Sequence, residues 1–440
     1  MNMEISTRNP YTGEQVGSYK MDSFKDATEK IIQIRKHQKK WAEDIDQRID
    51  FFKDTIRGNF ERESENLARL MTEEMGKPIS QSISEVKKSI KLIDYLIENA
   101  QSIFSPENIK TEASRSYVRF DPLGIVMAIE PWNFPVWQVA RAVFPALIAG
   151  NGAVLKHASI VTGVSLKIEE LIDLPVFRSL VIDGNTATSL IGQVEGIAFT
   201  GSTPTGSGIA SVAGRELKKV VMELGGSDPF IVLNSASIDD AAKNATLGRL
   251  QNNGQSCIAS KRFIIHADVY DEFKEKMEKE FSRVKVGDPM EKDTYLGPLS
   301  SGSQKDTVKE QIEFLSKRGK ITFFGKEEGN IIPPTIVEYG ENYQEEVFGP
   351  VAILKKFSTE SEAISMANES PFGLGTSIWG RSDEAERLVP SIEAGMVFIN
   401  SIVFSDPRLP FGGIKKSGLG RELSKYGSRE FTNMKTVWIS

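Results

Sequence analysis

Cysteine is almost absent from this chain: Cys257 is the only one in 440 residues. A solitary thiol forms no internal disulfide and supplies no multi-cysteine metal site, so it is either a nucleophile or an inert small side chain. Histidine is nearly as scarce. His37, His157 and His266 lie far apart without ligand spacing, and no protein-bound catalytic metal is expected. No dense Lys/Arg block exists to grip nucleic acid. The one basic cluster, Arg35 to Lys40, sits on a helical pattern and reads as a solvated face. No uninterrupted apolar run approaches the roughly 20 residues that cross a bilayer. The start, Met1 to Ser6, lacks a basic region followed by an apolar core, so no secretion signal is read and the cytoplasm is the expected compartment. Both well-known phosphate loops are missing too: no G-x-G-x-x-G follows a strand, and no G-x-x-x-x-G-K-[ST] occurs.

What is present is an ordinary globular composition, 40% hydrophobic and 26% charged with a net charge of −6. The length allows roughly two to three domains. The first hundred residues read as helices. Ser23-x-x-Asp26 looks like a capping signal, Phe52, Ile56 and Phe60 recur at i+4, and Gly76-Lys77-Pro78 is a stop. Ile79, Ile83, Val86, Ile90, Ile93 and Ile97 then form one stripe. From about residue 110 the rhythm changes: 116–120 alternates like a strand, and short apolar runs follow at 125–129, 153–155, 180–182, 197–199 and 220–222. Continuous apolar runs predict strands covered on both faces, as in a parallel sheet with crossover helices. A second alternation follows, with strands near 230–233 and 262–266 and helices near 239–250 and 271–281, and the tail 436–439 is strand-like.

Four segments carry candidate chemistry. Cys257 follows the turn-prone run Gln251 to Ser256, whereas an inert cysteine normally sits among apolar residues. Glu130-Pro131-Trp132-Asn133-Phe134-Pro135 is a stiff turn that either pins the Asn133 amide in place or lets it cap the next helix. Glu223 precedes Gly225-Gly226 and is a candidate base or a solvated strand end. Phe199 to Gly206 feeds a Gly/Ser/Thr turn into a helix N-terminus, a place where backbone N–H groups can meet a pyrophosphate.

Taken in order, Pro131-Trp132-Asn133-Phe134-Pro135, Phe199-Thr200-Gly201-Ser202-Thr203, Glu223-Leu224-Gly225-Gly226, Gly254-Gln255-x-Cys257, Glu346-x-Phe348-Gly349-Pro350, Asn400 and Pro410-Phe411-Gly412-Gly413 form a pattern that resembles the NAD(P)-dependent aldehyde dehydrogenase superfamily. The resemblance runs from Asn9-Pro10 to the last strand. It implies an α/β fold: a Rossmann-like NAD(P)-binding domain (1–109 and 125–224), a second α/β catalytic domain (225–415) and oligomerisation strands (110–124 and 430–440). A homodimer or homotetramer is implied with them.

By the same resemblance Cys257 matches the nucleophile, Asn133 the oxyanion donor and Glu223 the deacylation base, with Glu422 in reserve. Trp132, Lys156, Gly201 and Ser202 match positions around the cofactor phosphates and adenosine ribose, and Glu346 and Phe348 those at the nicotinamide. Lys156-His157-Ala158-Ser159 departs from the commoner Lys-Pro-x-Glu. With Ser159 in place of a glutamate, no carboxylate repels a 2′-phosphate, so NADP is expected over NAD. Arg141 matches a carboxylate-binding arginine of succinate-semialdehyde dehydrogenases, and Arg408 borders the substrate entrance of relatives. Either could instead hold an internal ion pair. The expected substrate is a short semialdehyde with a distal carboxylate, with glyceraldehyde or another small aldehyde as the alternative. A cysteine esterase or hydrolase without redox activity is the reading from a different class. It requires a basic partner for Cys257, and none is near in sequence.

Overall fold

The computed structural model describes residues 3–440. Two parallel sheets dominate it. The first runs, from edge to edge, Gly418–Leu419, Lys219–Glu223, Gly196–Thr200, Ile125–Glu130, Gly152–His157 and Phe177–Ser179. All its neighbours are parallel except the short first strand. The chain lays down three strands outward from Ile125–Glu130, then returns to build two on the other side. That reversal makes a crevice beyond the carboxyl ends of Ile125–Glu130 and Gly196–Thr200, where open α/β sheets bind ligands. Ile125, Met127, Ala128, Val154, Leu155 and Ile197 are fully or almost fully buried, which explains why these strands read as continuous apolar runs.

The second sheet has seven strands, ordered Lys320–Phe323, Thr335–Glu338, Val351–Phe357, Ser260–His266, Asp228–Val232, Gly375–Trp379 and Met396–Ile399. A third, smaller sheet pairs the C-terminal Thr432–Ile439 with Arg115–Pro122 in antiparallel register. Among the described residues no helix is long and apolar enough to cross a membrane.

The Ser23 capping box forms as expected, at the start of a helix over Phe24–Ala42. Two expectations are corrected. The chain opens on an antiparallel hairpin, Glu4–Arg8 with Gln15–Lys20, where helices were expected. Its strands are mostly solvent-facing, so little apolar pattern marks them. The third short strand is Phe177–Ser179, not 180–182. Leu180 N–H still bonds the Leu155 carbonyl, but Val181 N–H turns to the Asp22 carboxylate and pairing ends. On the long helix Ile79–Phe104 the isoleucine stripe lies at the margin of the buried face. Ile79, Ile83, Ile90 and Ile97 are only half-buried, while Ser82, Glu85 and Ser89 are fully packed away with Val86 and Ile93. Small and polar side chains are buried there because the helix passes directly under the turn that carries Asn133.

Candidate active site

The turn after Ile125–Glu130 is held from every side. Glu85 accepts from the N–H groups of Val136 and Trp137 at 2.9 Å each, capping the helix Trp137–Ile148. The other Glu85 oxygen pairs with buried Lys77, whose ammonium also lies 4.0 Å over the Phe134 ring. His157 reaches the Pro135 carbonyl through Nε2 at 2.8 Å. Burial pushes its imidazolium pKa down to about 4, so the ring is neutral and the shorter contact assigns its proton to Nε2.

Because Glu85 caps the helix, Asn133 is free for another task. Its Nδ2 donates to the Gln255 carbonyl at 3.0 Å and its Oδ1 accepts from Gln138 at 3.0 Å. One Nδ2 hydrogen is thereby used, leaving the second for the cleft.

The segment leading to Cys257 has an unusual backbone. Asn252, Asn253 and Gly254 are consecutive left-handed residues, at φ of 56°, 57° and 74°. Asparagine and glycine are the residue types that tolerate this region. Arg249 fixes the loop through the carbonyls of Gly254 and Gly349, 2.6 Å each, and Lys261 takes the carbonyls of Ser256 and Cys257 at 2.8 Å. Among the described residues nothing bonds the Cys257 N–H. A free backbone donor therefore stands beside the thiol.

Cys257 and Asn133 share one cleft of about 270 Å³ with Trp132, Gly201, Ser202, Glu346 and Phe348, all expected there from the sequence. Trp132 and Phe348 meet edge to face at 5.8 Å across it. Burial pushes the half-buried Cys257 thiol up to about 12, while Arg141 and Lys261 pull it down. Glu346 pairs with Lys261 at 3.2 Å; burial raises its carboxyl and Lys261 opposes the rise.

Glu223 stands behind the cleft wall at the end of its strand. Burial first, then the charge of Glu422, raises its carboxyl well above the usual range. Lys156 and Ser159 are not among the residues lining this cleft. Lys156 is near the end of the Gly152–His157 strand and Ser159 just follows it, farther along the carboxyl edge of the same sheet. No histidine lines the cleft either, so the basic partner that a cysteine hydrolase needs is not beside Cys257.

The two arginines expected to face a substrate carboxylate are both committed elsewhere. Arg141 is buried with its Nε 2.9 Å from Glu422 and its guanidinium 4.3 Å over the Phe411 ring. Arg408 is 77% exposed in its side chain and grips Asp406 of its own turn through Nε and Nη2, 2.8 Å each. The pairing also ties Glu422 to Arg141, which leaves Glu223 the freer carboxyl.

Sequence reading missed a second cavity of about 330 Å³, lined by Lys77, Lys88, Phe134, Trp137, Gln251 and Ile402. Lys88 donates to Ser405 at 2.7 Å, and burial pushes its ammonium down to about 8. The two lysines stand 11 positions apart on a turn and a helix, and the intervening sequence gives no sign that they converge.

The first cleft fits a dinucleotide. Gly201 lets the backbone approach closely, since a Cβ there would meet the Phe199 ring at 2.6 Å. Ser202 caps the helix Thr203–Arg215, so its positive end faces the crevice. The Thr200 hydroxyl is buried and unpartnered among the described residues. A doubly wound sheet, a crevice at its reversal and a thiol on the crevice wall define an α/β oxidoreductase. The chain belongs to the aldehyde dehydrogenase family, whose model matches residues 2–437. It is 41% identical over 459 residues to succinate-semialdehyde dehydrogenase [NADP(+)] 1 of Mycobacterium ulcerans, covering 99% of this chain and 100% of that one. It is also 41% identical over 469 residues to a probable succinate-semialdehyde dehydrogenase [NADP(+)] of Synechocystis, with 100% of both chains covered. The succinic semialdehyde dehydrogenase of Streptococcus pyogenes, solved in complex with NADP+, superposes with a TM-score of 0.96 at 36% identity over 99% of each chain.

Proposed function

We propose that the protein oxidises a short aldehyde with a distal carboxylate, succinate semialdehyde foremost, to the carboxylic acid through a covalent adduct on Cys257, with NADP as acceptor. The observation that carries this reading is the convergence of the Cys257 thiol, its free N–H and the spare Asn133 hydrogen on one cleft. Thiolate addition to the aldehyde gives a thiohemiacetal whose oxyanion those two donors stabilise. Removing one such donor typically costs about 3–4 kcal/mol. The bound dinucleotide supplies the hydride acceptor. Trp132, Lys156, Ser159, Gly201 and Ser202 would hold its phosphates and adenosine ribose, and Glu346 and Phe348 its nicotinamide. Glu223, raised above the usual carboxylate range, then accepts a proton from water as it attacks the acyl-thioester.

Charge supports the substrate class. The second cavity carries Lys77 and Lys88 on its wall, and Lys77 alone has a carboxylate partner, so Lys88 is the cation available to a substrate carboxylate. The relatives described above carry the same activity in their names, and these support NADP as well.

On this reading residues 1–109 and 125–224 bind the dinucleotide, 225–415 bring the thiol, and 110–124 with 430–440 join subunits into a homodimer or homotetramer. The exposed Met434, Trp438 and Ile439 on the last strand support that assembly. The cytoplasm is the proposed compartment, where an unpaired thiol stays reduced.

The test is a panel of aldehydes with NADP and NAD, followed by intact-mass analysis of the acylated enzyme. The expected result is NADP reduction that is fastest with succinate semialdehyde, and a succinyl adduct on Cys257 that Cys257→Ala cannot form. Full oxidation by Cys257→Ala would end the proposal.

A further inference from the structure

Glu130, Thr200 and Glu223 are the terminal residues of three neighbouring parallel strands. Ile129 is level with Phe199, which puts Glu130 beside Thr200, and Thr200 is level with Glu223. Residues level across a parallel sheet project from the same face, about 4.8 Å apart from strand to strand. The Thr200 side chain therefore stands between those of Glu130 and Glu223. All three residues are buried, at 3%, 5% and 1% exposure. By strict hydrogen-bond geometry none of these carboxyl and hydroxyl oxygens has a partner among the described residues, while Thr200 lies close enough to Glu130 to pull its carboxyl down.

The charges around the row do not balance two carboxylates. Arg141, from the helix below, is paired with Glu422. Arg421, near Glu223, spends its Nη1 on the carbonyls of Gly413 and Gly420. Glu130 faces Glu422, Arg141 and Glu223, and burial together with Glu422 raises its carboxyl as well. Buried carboxyls that lack balancing cations do not all ionise, so the row retains a proton. If that proton rests on Glu223, the base is blocked.

We propose, building on the reading of Glu223 as deacylation base, that Glu130 stores the proton Glu223 must lose, with Thr200 as the link. Glu223 donates its proton to Thr200 Oγ1 while the Thr200 hydroxyl gives its own proton to the Glu130 carboxylate. The net change is Glu223 ionised and Glu130 neutral, with no other bond altered. Glu223 then takes a proton from the water that adds to the thioester, and the intermediate collapses to the acid and the Cys257 thiolate. Thr200 also lines the cleft, so the stored proton leaves by that face once the products have gone.

The test separates the burst of reduced dinucleotide, which reports acylation, from steady-state turnover across pH. It uses Glu130→Gln, Thr200→Val and Thr200→Ser in the full-length enzyme. The expected result for Glu130→Gln is a persisting burst and a steady-state rate lowered on the order of tenfold, less than the 10²–10⁴ lost with a base itself. Thr200→Val should match it and Thr200→Ser should recover. A purely electrostatic Glu130 predicts the reverse: without its charge Glu223 ionises more readily, and the acid limb moves to lower pH with no loss of rate. That outcome, or parent-like deacylation by Thr200→Val, overturns the relay. Should Glu130→Gln fail to fold, the Thr200 pair decides alone. Absence of any acyl-Cys257 in the parent would instead count against the reaction on which the relay rests.

Discussion

On the proposed reading, Lys88 takes the substrate carboxylate that the sequence assigns to Arg141 or Arg408. Arg141 is held by Glu422, whereas Lys88 bonds only a hydroxyl and lines the second cavity. Lys88→Met is expected to raise KM for succinate semialdehyde about tenfold, the scale of one charge-assisted hydrogen bond, and to leave kcat and the kinetics of a neutral aldehyde near parent values. Steady-state kinetics on the two substrates checks it. Equal KM rises for both would mean that Lys88 shapes the cavity and does not read charge. At the adenosine end, Ser159→Glu should lower kcat/KM with NADP by on the order of a hundredfold and spare NAD, because a like-charge contact costs several kcal/mol. Paired measurements with both cofactors decide it, and a parent enzyme that already favours NAD would refute the premise.

Between strands and helices, the site depends on how the turn at Asn133 is anchored. Glu85 caps the Trp137–Ile148 helix and neutralises Lys77, both from beneath. Glu85→Ala removes the cap, worth about 0.5–2 kcal/mol, and leaves a buried ammonium unpaired. A fall in Tm of several degrees is expected, together with a drop in kcat larger than any change in KM, since the oxyanion donor loses its mount. Differential scanning fluorimetry beside kinetics tests this, and an unchanged kcat would dissociate the clamp from the chemistry. This scale also explains what was legible in the sequence. Cys257, Asn133 and Glu223 each sit in a short local signature, and the buried strands announce themselves as apolar runs. Glu130 beside Thr200, or Arg141 against Glu422, depends on register between segments 70 and 281 positions apart, and one-dimensional spacing carries no trace of it. The opening hairpin was lost for another reason: both its strands face solvent too much to alternate cleanly.

For the whole molecule, buried acids make stability depend on pH. Asp228 starts a central strand, accepts from Gly375 N–H at 3.1 Å, and is pushed up to about 7 by burial, with Lys261 opposing. Its folded value exceeds the unfolded one of about 3.9. The folded state therefore keeps the proton over that interval, and stability falls as pH rises from about 4 to about 7. Asp228→Asn removes the penalty, so its Tm relative to parent should improve from pH 5 to pH 8; a constant offset in thermal scans would contradict the assignment. Assembly is open to a direct check as well. Light scattering after size exclusion should give a multiple of the 48.8 kDa chain mass, and disruption of the Thr432–Ile439 strand should reduce it.

The sulfur on the cleft wall has a practical corollary. Since the chain offers alkylating reagents no other thiol, a maleimide or iodoacetamide label counts competent sites without background, and no engineered variant is needed. Labelling should be slow at neutral pH and quicken as alkali deprotonates the group, and anything lodged in the crevice should shield it. The protein thus comes with a built-in occupancy gauge, readable by mass spectrometry one ligand at a time.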